Sequence, residues 1–116
     1  KDEKKEKIET KIYLELIHYH KQKENDEKIL VYIDKLMKVI SRGEGFYYLK
    51  ELYFLRAKIM AKTADNENTR EKCFKDCIIA YNLCEIEEDS GTQGKIEVFC
   101  EEVLKCQITE PEILLD

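Results

Sequence analysis

Ile29, Ile33, Leu36 and Ile40 follow one another at steps of four, three and four residues, and the same spacing returns at Cys73, Cys77, Ala80 and Cys84. Steps of three and four gather side chains on one face of an α-helix, whereas a strand would need alternation. Two helices with matching apolar lines are therefore predicted, offset by 44 positions from 29 to 73. A second pair of segments aligns with an offset of 40, placing Tyr13 on Tyr53, Ile17 on Ala57 and His20 on Met60. The four-residue difference falls in a longer second loop. Duplication of a helix hairpin accounts for both offsets. Such copies stack because one hairpin cannot bury its own apolar face.

Five helices are predicted, at about 2–23, 26–42, 45–64, 69–87 and 92–107. The first opens on the charged run Lys1 to Lys7 and carries Ile8, Ile12 and Leu16 as its apolar stripe, with Tyr13, Ile17 and His20 beside it. Asn25 suits the N-cap of the second, with Asp26 and Glu27 in the first turn, where the helix dipole favours negative charge. Arg42-Gly43 suits its end. In the third, Leu49, Tyr53, Ala57 and Met60 form one stripe, and Leu52, Leu55 and Ile59 widen it, so burial on more than one side is predicted. Asn68 with Glu71 resembles a capping box for the fourth helix, and Ser90 with Gln93 caps the fifth. The fifth shows Ile96, Phe99, Cys100 and Val103. Residues 1–108 read as one helical domain and 109–116 as a tail, with Pro111 ending any helix.

One proline and four glycines among 116 residues, with 39% charged side chains, fit long helices with solvated outer faces. A sandwich or barrel needs more turn residues, and a disordered chain has fewer apolar ones. The net charge is −5 with lysine and glutamate interspersed, so no face is basic enough to bind nucleic acid directly. No apolar run approaches the ~20 residues that cross a membrane, and no signal peptide is visible. The chain starts at Lys1 rather than Met, which fits a segment of a longer protein.

Five cysteines occur without a CxxC pair: Cys73, Cys77 and Cys84 on one helical stripe, then Cys100 and Cys106. They read as small buried hydrophobes in a reducing cytoplasm. Zinc binding is disfavoured because no histidine lies near and tetrahedral sites favour close ligand pairs. Redox sensing is the remaining alternative.

The stretch Tyr53-Phe54-Leu55-Arg56-Ala57, followed by Cys73-Phe74-Lys75-Asp76-Cys77-Ile78-Ile79-Ala80, resembles a tetratricopeptide repeat. In that family an aromatic opens helix A, a small residue follows four positions on, and small residues recur in helix B. Tyr53, Ala57, Cys73 and Ala80 match those places. Tyr13 and the Ile29 to Leu36 set match the first copy less well, since Ile17 and Ile29 are large, and no proline closes either repeat. The resemblance covers residues 8–107 as two divergent repeats plus a capping helix. It implies an all-α antiparallel hairpin-repeat fold and a protein- or peptide-binding role. The chain is also similar to the C-terminal repeat domains of bacterial helix-turn-helix transcriptional regulators, which bind a signalling peptide or dimerise.

No constellation for catalysis is visible. His18 and His20 are two apart and point in different directions, and His20 aligns with a core position. No nucleophile motif, phosphate-binding glycine loop or cofactor motif occurs. A non-enzymatic role without cofactor is predicted. In the tetratricopeptide family helix A lines the inner face. Carrying those positions across places Lys11, Leu14, His18 and Lys21 of the first copy, and Glu51, Phe54, Lys58 and Lys62 of the second, along a candidate peptide groove. Ordinary solvation of these residues is the plain alternative. The Lys and Asn pattern that clamps a chaperone's C-terminal carboxylate is not reproduced, which disfavours a cochaperone. A homodimer through Tyr47, Tyr48, Tyr53 and the tail Ile113-Leu114-Leu115 is a further possibility, and a free-standing scaffold is the alternative to a regulator.

Overall fold

The computed structural model describes residues 2–40 and 48–108. It is all-α, with five helices and no strand among the described residues: α1 Asp2–Gln22, α2 Asp26–Ile40, α3 Leu49–Ala61, α4 Glu67–Ile86 and α5 Ser90–Phe99, the last continuing into a π-turn at Cys100–Leu104. The predicted end of the second helix at Gly43, Tyr47 and the tail Ile113-Leu114-Leu115 lie outside the described residues. By compactness the chain divides into two units, Lys1–Leu52 and Tyr53–Asp116.

In the first unit α1 and α2 form an antiparallel hairpin, as a three-residue connection requires. The connection is a Schellman turn: Asn25 N–H donates to the His20 carbonyl at 2.9 Å and Glu24 N–H to that of Lys21 at 3.1 Å. Glu24 takes the left-handed conformation, at φ 54°, that glycine usually fills. Asn25 then caps α2, its Oδ1 accepting from Lys28 N–H at 3.3 Å. The predicted line Ile29, Ile33, Leu36 and Ile40 is buried. Full burial of Ile33 alone is worth roughly 2–3 kcal/mol.

On α1 the inward line is Tyr13, Ile17 and His20, not Ile8, Ile12 and Leu16. Ile17 is buried, and the Tyr32 ring on α2 sits 6.1 Å from Tyr13 and stacks on His20 at 5.6 Å. Ile8 and Ile12 are half exposed and Leu16 is partly buried. Both lines have helical spacing, and α2 covers one of them.

In the second unit Phe54, Ala57, Cys73, Cys77, Ala80, Cys84, Ile96, Cys100 and Leu104 form one buried cluster. Arg56 on α3 grips Asp76 on α4 with two hydrogen bonds, Nε–Oδ2 at 2.8 Å and Nη2–Oδ1 at 3.0 Å. This fork is the geometry in which guanidinium and carboxylate match best. Asn66, not Asn68, caps α4, accepting from Thr69 N–H at 2.9 Å, and Asp89, not Ser90, caps α5, accepting from Thr92 N–H at 3.1 Å. The predicted caps lie inside the first turns because an earlier Asx side chain takes the role. The α4–α5 connection repeats the Schellman turn, with Glu88 at φ 55° and Asp89 N–H donating to the Cys84 carbonyl.

The π-turn explains a difference at the end of α5. Ile96, Cys100 and Leu104 are buried, whereas Val103, predicted inside, is exposed. Steps of four drift by about 40° around an α-helix. The wider turn absorbs that drift and returns Leu104 to the line of Ile96 and Cys100.

Candidate partner-binding face

The outer side of α1 departs from a plain solvated face. Ile8, Ile12 and Tyr19 are exposed at 54%, 50% and 52%. Their spacing places them within about 40° of one another around the helix axis. Lys4, Lys5 and Lys11 flank the row and are exposed, and Glu15 is the exposed acid among them. Glu6 lies toward the other side; Glu9 is about as far from the row as Lys11, on the opposite flank, and is partly buried. The result is an apolar row with basic shoulders. At its far end Tyr19 packs edge-on against His20 at 5.1 Å and carries the Lys23 ammonium 5.7 Å above its ring.

Next to this row run the α1 residues assigned to the groove from the sequence. Lys11, His18 and Lys21 are exposed and Leu14 is partly buried. The Gln22 amide nitrogen lies 3.3 Å from His18 Nε2, one turn on. On α3, Glu51, Lys58 and Lys62 are exposed.

Phe54 corrects the sequence reading. It is 8% exposed and belongs to the core of the second unit, with its ring edge-on to Phe99 at 5.7 Å. Lys58 closes over that ring, Nζ 4.4 Å from the centroid. The physical reason is that α3 is buried on two opposite sides, Phe54 and Ala57 on one, Leu52 and Ile59 on the other. The exposed strip between those sides holds Glu51, Lys58 and Lys62, and Phe54 at its edge turns into the core.

Four of the cysteines line the core of the second unit. All five are free thiols; Cys73, Cys77, Cys84 and Cys100 are buried and Cys106 is partly exposed. Hydrogen bonding to Cys100 and then burial push the Cys77 thiol far above its ordinary range, and burial, followed by the nearby Asp76 charge, raises Cys73. Such thiols stay protonated and weakly nucleophilic at neutral pH. Among the described residues no group of three or more His, Cys, Asp or Glu is placed to hold a metal ion. No helix there is long and apolar enough to cross a membrane.

The residues missed from the sequence are Ile8, Ile12 and Tyr19. The signal was present in the flanking lysines: Lys4, Lys5 and Lys11 surround that line and mark it as the outer one. No family model, curated protein or solved structure matches the chain.

Proposed function

We propose that this chain is a non-enzymatic helix-hairpin module of the tetratricopeptide type that binds another protein through the outer face of α1. The observation that carries the reading is the exposed row Ile8, Ile12 and Tyr19 on a helix whose other apolar line, Tyr13 to His20, already packs on α2. Singly scattered exposed hydrophobics need no explanation, but three aligned on one helix face with charged shoulders have the anatomy of an interface: an apolar centre and a polar rim. The two Schellman turns support the hairpin architecture, since each reverses the chain within three residues. In the setting the sequence resemblance implies, the module is the sensor or oligomerisation part of a larger transcriptional regulator.

The test compares the chain with an Ile8→Asp/Ile12→Asp variant, both immobilised and exposed to cell extract. Retained proteins, further copies of the chain included, are quantified by mass spectrometry. Circular dichroism checks that helix content is equal. The reading predicts that a defined set is lost with the variant. Identical retained sets overturn it.

A further inference from the structure

We propose that the lysine-flanked face of α1 docks on the acidic outer face of α5 and its π-turn in a second copy of the same chain. The proposal rests on the partner-binding reading above and names the partner. It comes from two surfaces of opposite character carried by one chain.

The first is the α1 row, with Lys4, Lys5 and Lys11 around Ile8 and Ile12. The second lies at the end of α5. Val98 and Val103 are exposed at 52% and 48%, and Glu97, Glu101 and Glu102 beside them are exposed too. Between positions 85 and 105 the acids are Glu85, Glu87, Glu88, Asp89, Glu97, Glu101 and Glu102, and the cations are Lys95 and Lys105. Lysines thus outnumber acids around Ile8 and Ile12, and acids outnumber lysines around Val98 and Val103. Along the helix axis the pairs are similarly spaced, Ile8 to Ile12 about 6 Å and Val98 to Val103 about 7 Å, while around it the first pair lies about 40° apart and the second about a quarter turn, so the α5 surface is the broader one. The same π-turn that sends Leu104 inward leaves Val103 outside, so the second surface is a product of the backbone irregularity.

Opposite charges steer such an encounter and fix its register, while the aliphatic pairs supply the area removed from water. Because the two surfaces differ, the contact is head-to-tail. Copies then either close through two such contacts or extend into longer arrays. Solvent-exposed charges are screened beyond about 8 Å at physiological ionic strength, so association weakens as salt rises.

Sedimentation velocity of the purified 116-residue chain, kept reduced, tests this over the range of weak self-association, about 1 µM to about 1 mM. Two charge-reversed variants accompany it, Lys4→Glu/Lys11→Glu and Glu101→Lys/Glu102→Lys. The wild-type chain is expected to reach twice its monomer mass or more, in a salt-sensitive way. Each variant alone is expected to need at least about tenfold higher concentration, and their equimolar mixture to regain association. A wild-type monomer throughout, variants that associate like wild type, or a mixture that fails to recover each overturn the proposal. A dilute chain that binds phosphatidylserine-containing vesicles through Lys4 and Lys11 instead assigns the face to an anionic lipid and overturns it too. A wild-type monomer whose extract capture still depends on Ile8 and Ile12 removes the second copy as partner and leaves the partner-binding reading standing.

Discussion

The hairpin of α1 and α2 and the cluster built by α3, α4 and α5 present the same apolar spacing with different side chains. In the first unit the inward line of α2 is Ile29, Ile33, Leu36 and Ile40; in the second that of α4 is Cys73, Cys77, Ala80 and Cys84. Branched aliphatics bury more area per residue, so a hairpin lined with them needs few residues to hold. Thiols and alanines bury less; polar fastenings in the second unit are the Arg56–Asp76 fork, Tyr81 Oη donating to Glu97 at 3.2 Å, and Gln93 Nε2 donating to Glu85 at 2.8 Å. Identical periodicity thus specifies which face turns inward and leaves open how that face is held. The turns show the converse, since Glu24-Asn25 and Glu88-Asp89 solve one geometric problem identically in both units.

Core truncations should separate the units most strongly. Phe54→Ala in the second and Ile33→Ala in the first are each expected to lose about 3–5 and 2–5 kcal/mol in urea unfolding. Cys77→Ala, at an equally buried position of the thiol line, should lose about 1 kcal/mol, in keeping with its smaller apolar volume. Equal losses for Cys77→Ala and Ile33→Ala would erase the contrast between the two linings. A Phe54→Ala variant of unchanged stability would return that ring to the surface.

The polar fastening comes next in size. Arg56→Met should cost about 2 kcal/mol, because Asp76 then keeps a mostly buried charge without its fork. Adding Asp76→Leu should recover part of that loss, which chemical denaturation of the single and double variants measures. A double variant worse than Arg56→Met would show that Asp76 is held by something other than Arg56.

Alkaline titration addresses the thiol line. The folded-state pKa values of Cys73 and Cys77 are raised, so unfolded thiols ionise first. Their contribution is complete below the unfolded thiol pKa of about 8.5 and falls as pH rises above it, by at most about 1.4 kcal/mol per pH unit for each thiol. Unfolding midpoints measured upward from neutral pH should drop, and the slope should flatten in Cys73→Ala/Cys77→Ala. A slope unchanged by those substitutions would assign the alkaline loss to other groups.

The smallest effect tests the likeness of the turns. Glu24→Gly and Glu88→Gly each relieve a left-handed residue and are expected to stabilise by up to about 1 kcal/mol, by similar amounts. Thermal unfolding of both variants measures it. A gain in one and a loss in the other would show that the turns are not equivalent.

The sequence was most legible where one line of apolar residues stood alone. The buried faces of α2 and α4 follow from spacing, since each has a single candidate line. α1 has two, Ile8–Ile12 and Tyr13–Ile17–His20, and periodicity cannot say which meets a neighbour. Phe54 was misassigned because α3 is buried on opposite sides: its outer strip is narrow, holding Glu51, Lys58 and Lys62, and Phe54 at the edge of that strip falls into the core. The shift from Val103 to Leu104 depends on a π-turn that local propensity does not announce. The caps moved because Asp65, Asn66 and Asn68 all offer side-chain oxygens within one short stretch. The candidate face itself was half visible, through Lys11, His18 and Lys21, but its apolar row was read as core.

Hydroxyl-radical footprinting of the wild-type chain tests the central claim, that α1 presents a bare apolar row which protein contact covers. At low concentration Ile8, Ile12 and Tyr19 should be oxidised rapidly while Ile29, Ile33 and Leu36 are protected. At high concentration the α1 row should become protected and the α2 line should stay as it was. An α1 row oxidised equally at every concentration would remove the second copy as partner, and a row already protected in dilute solution would contradict the account.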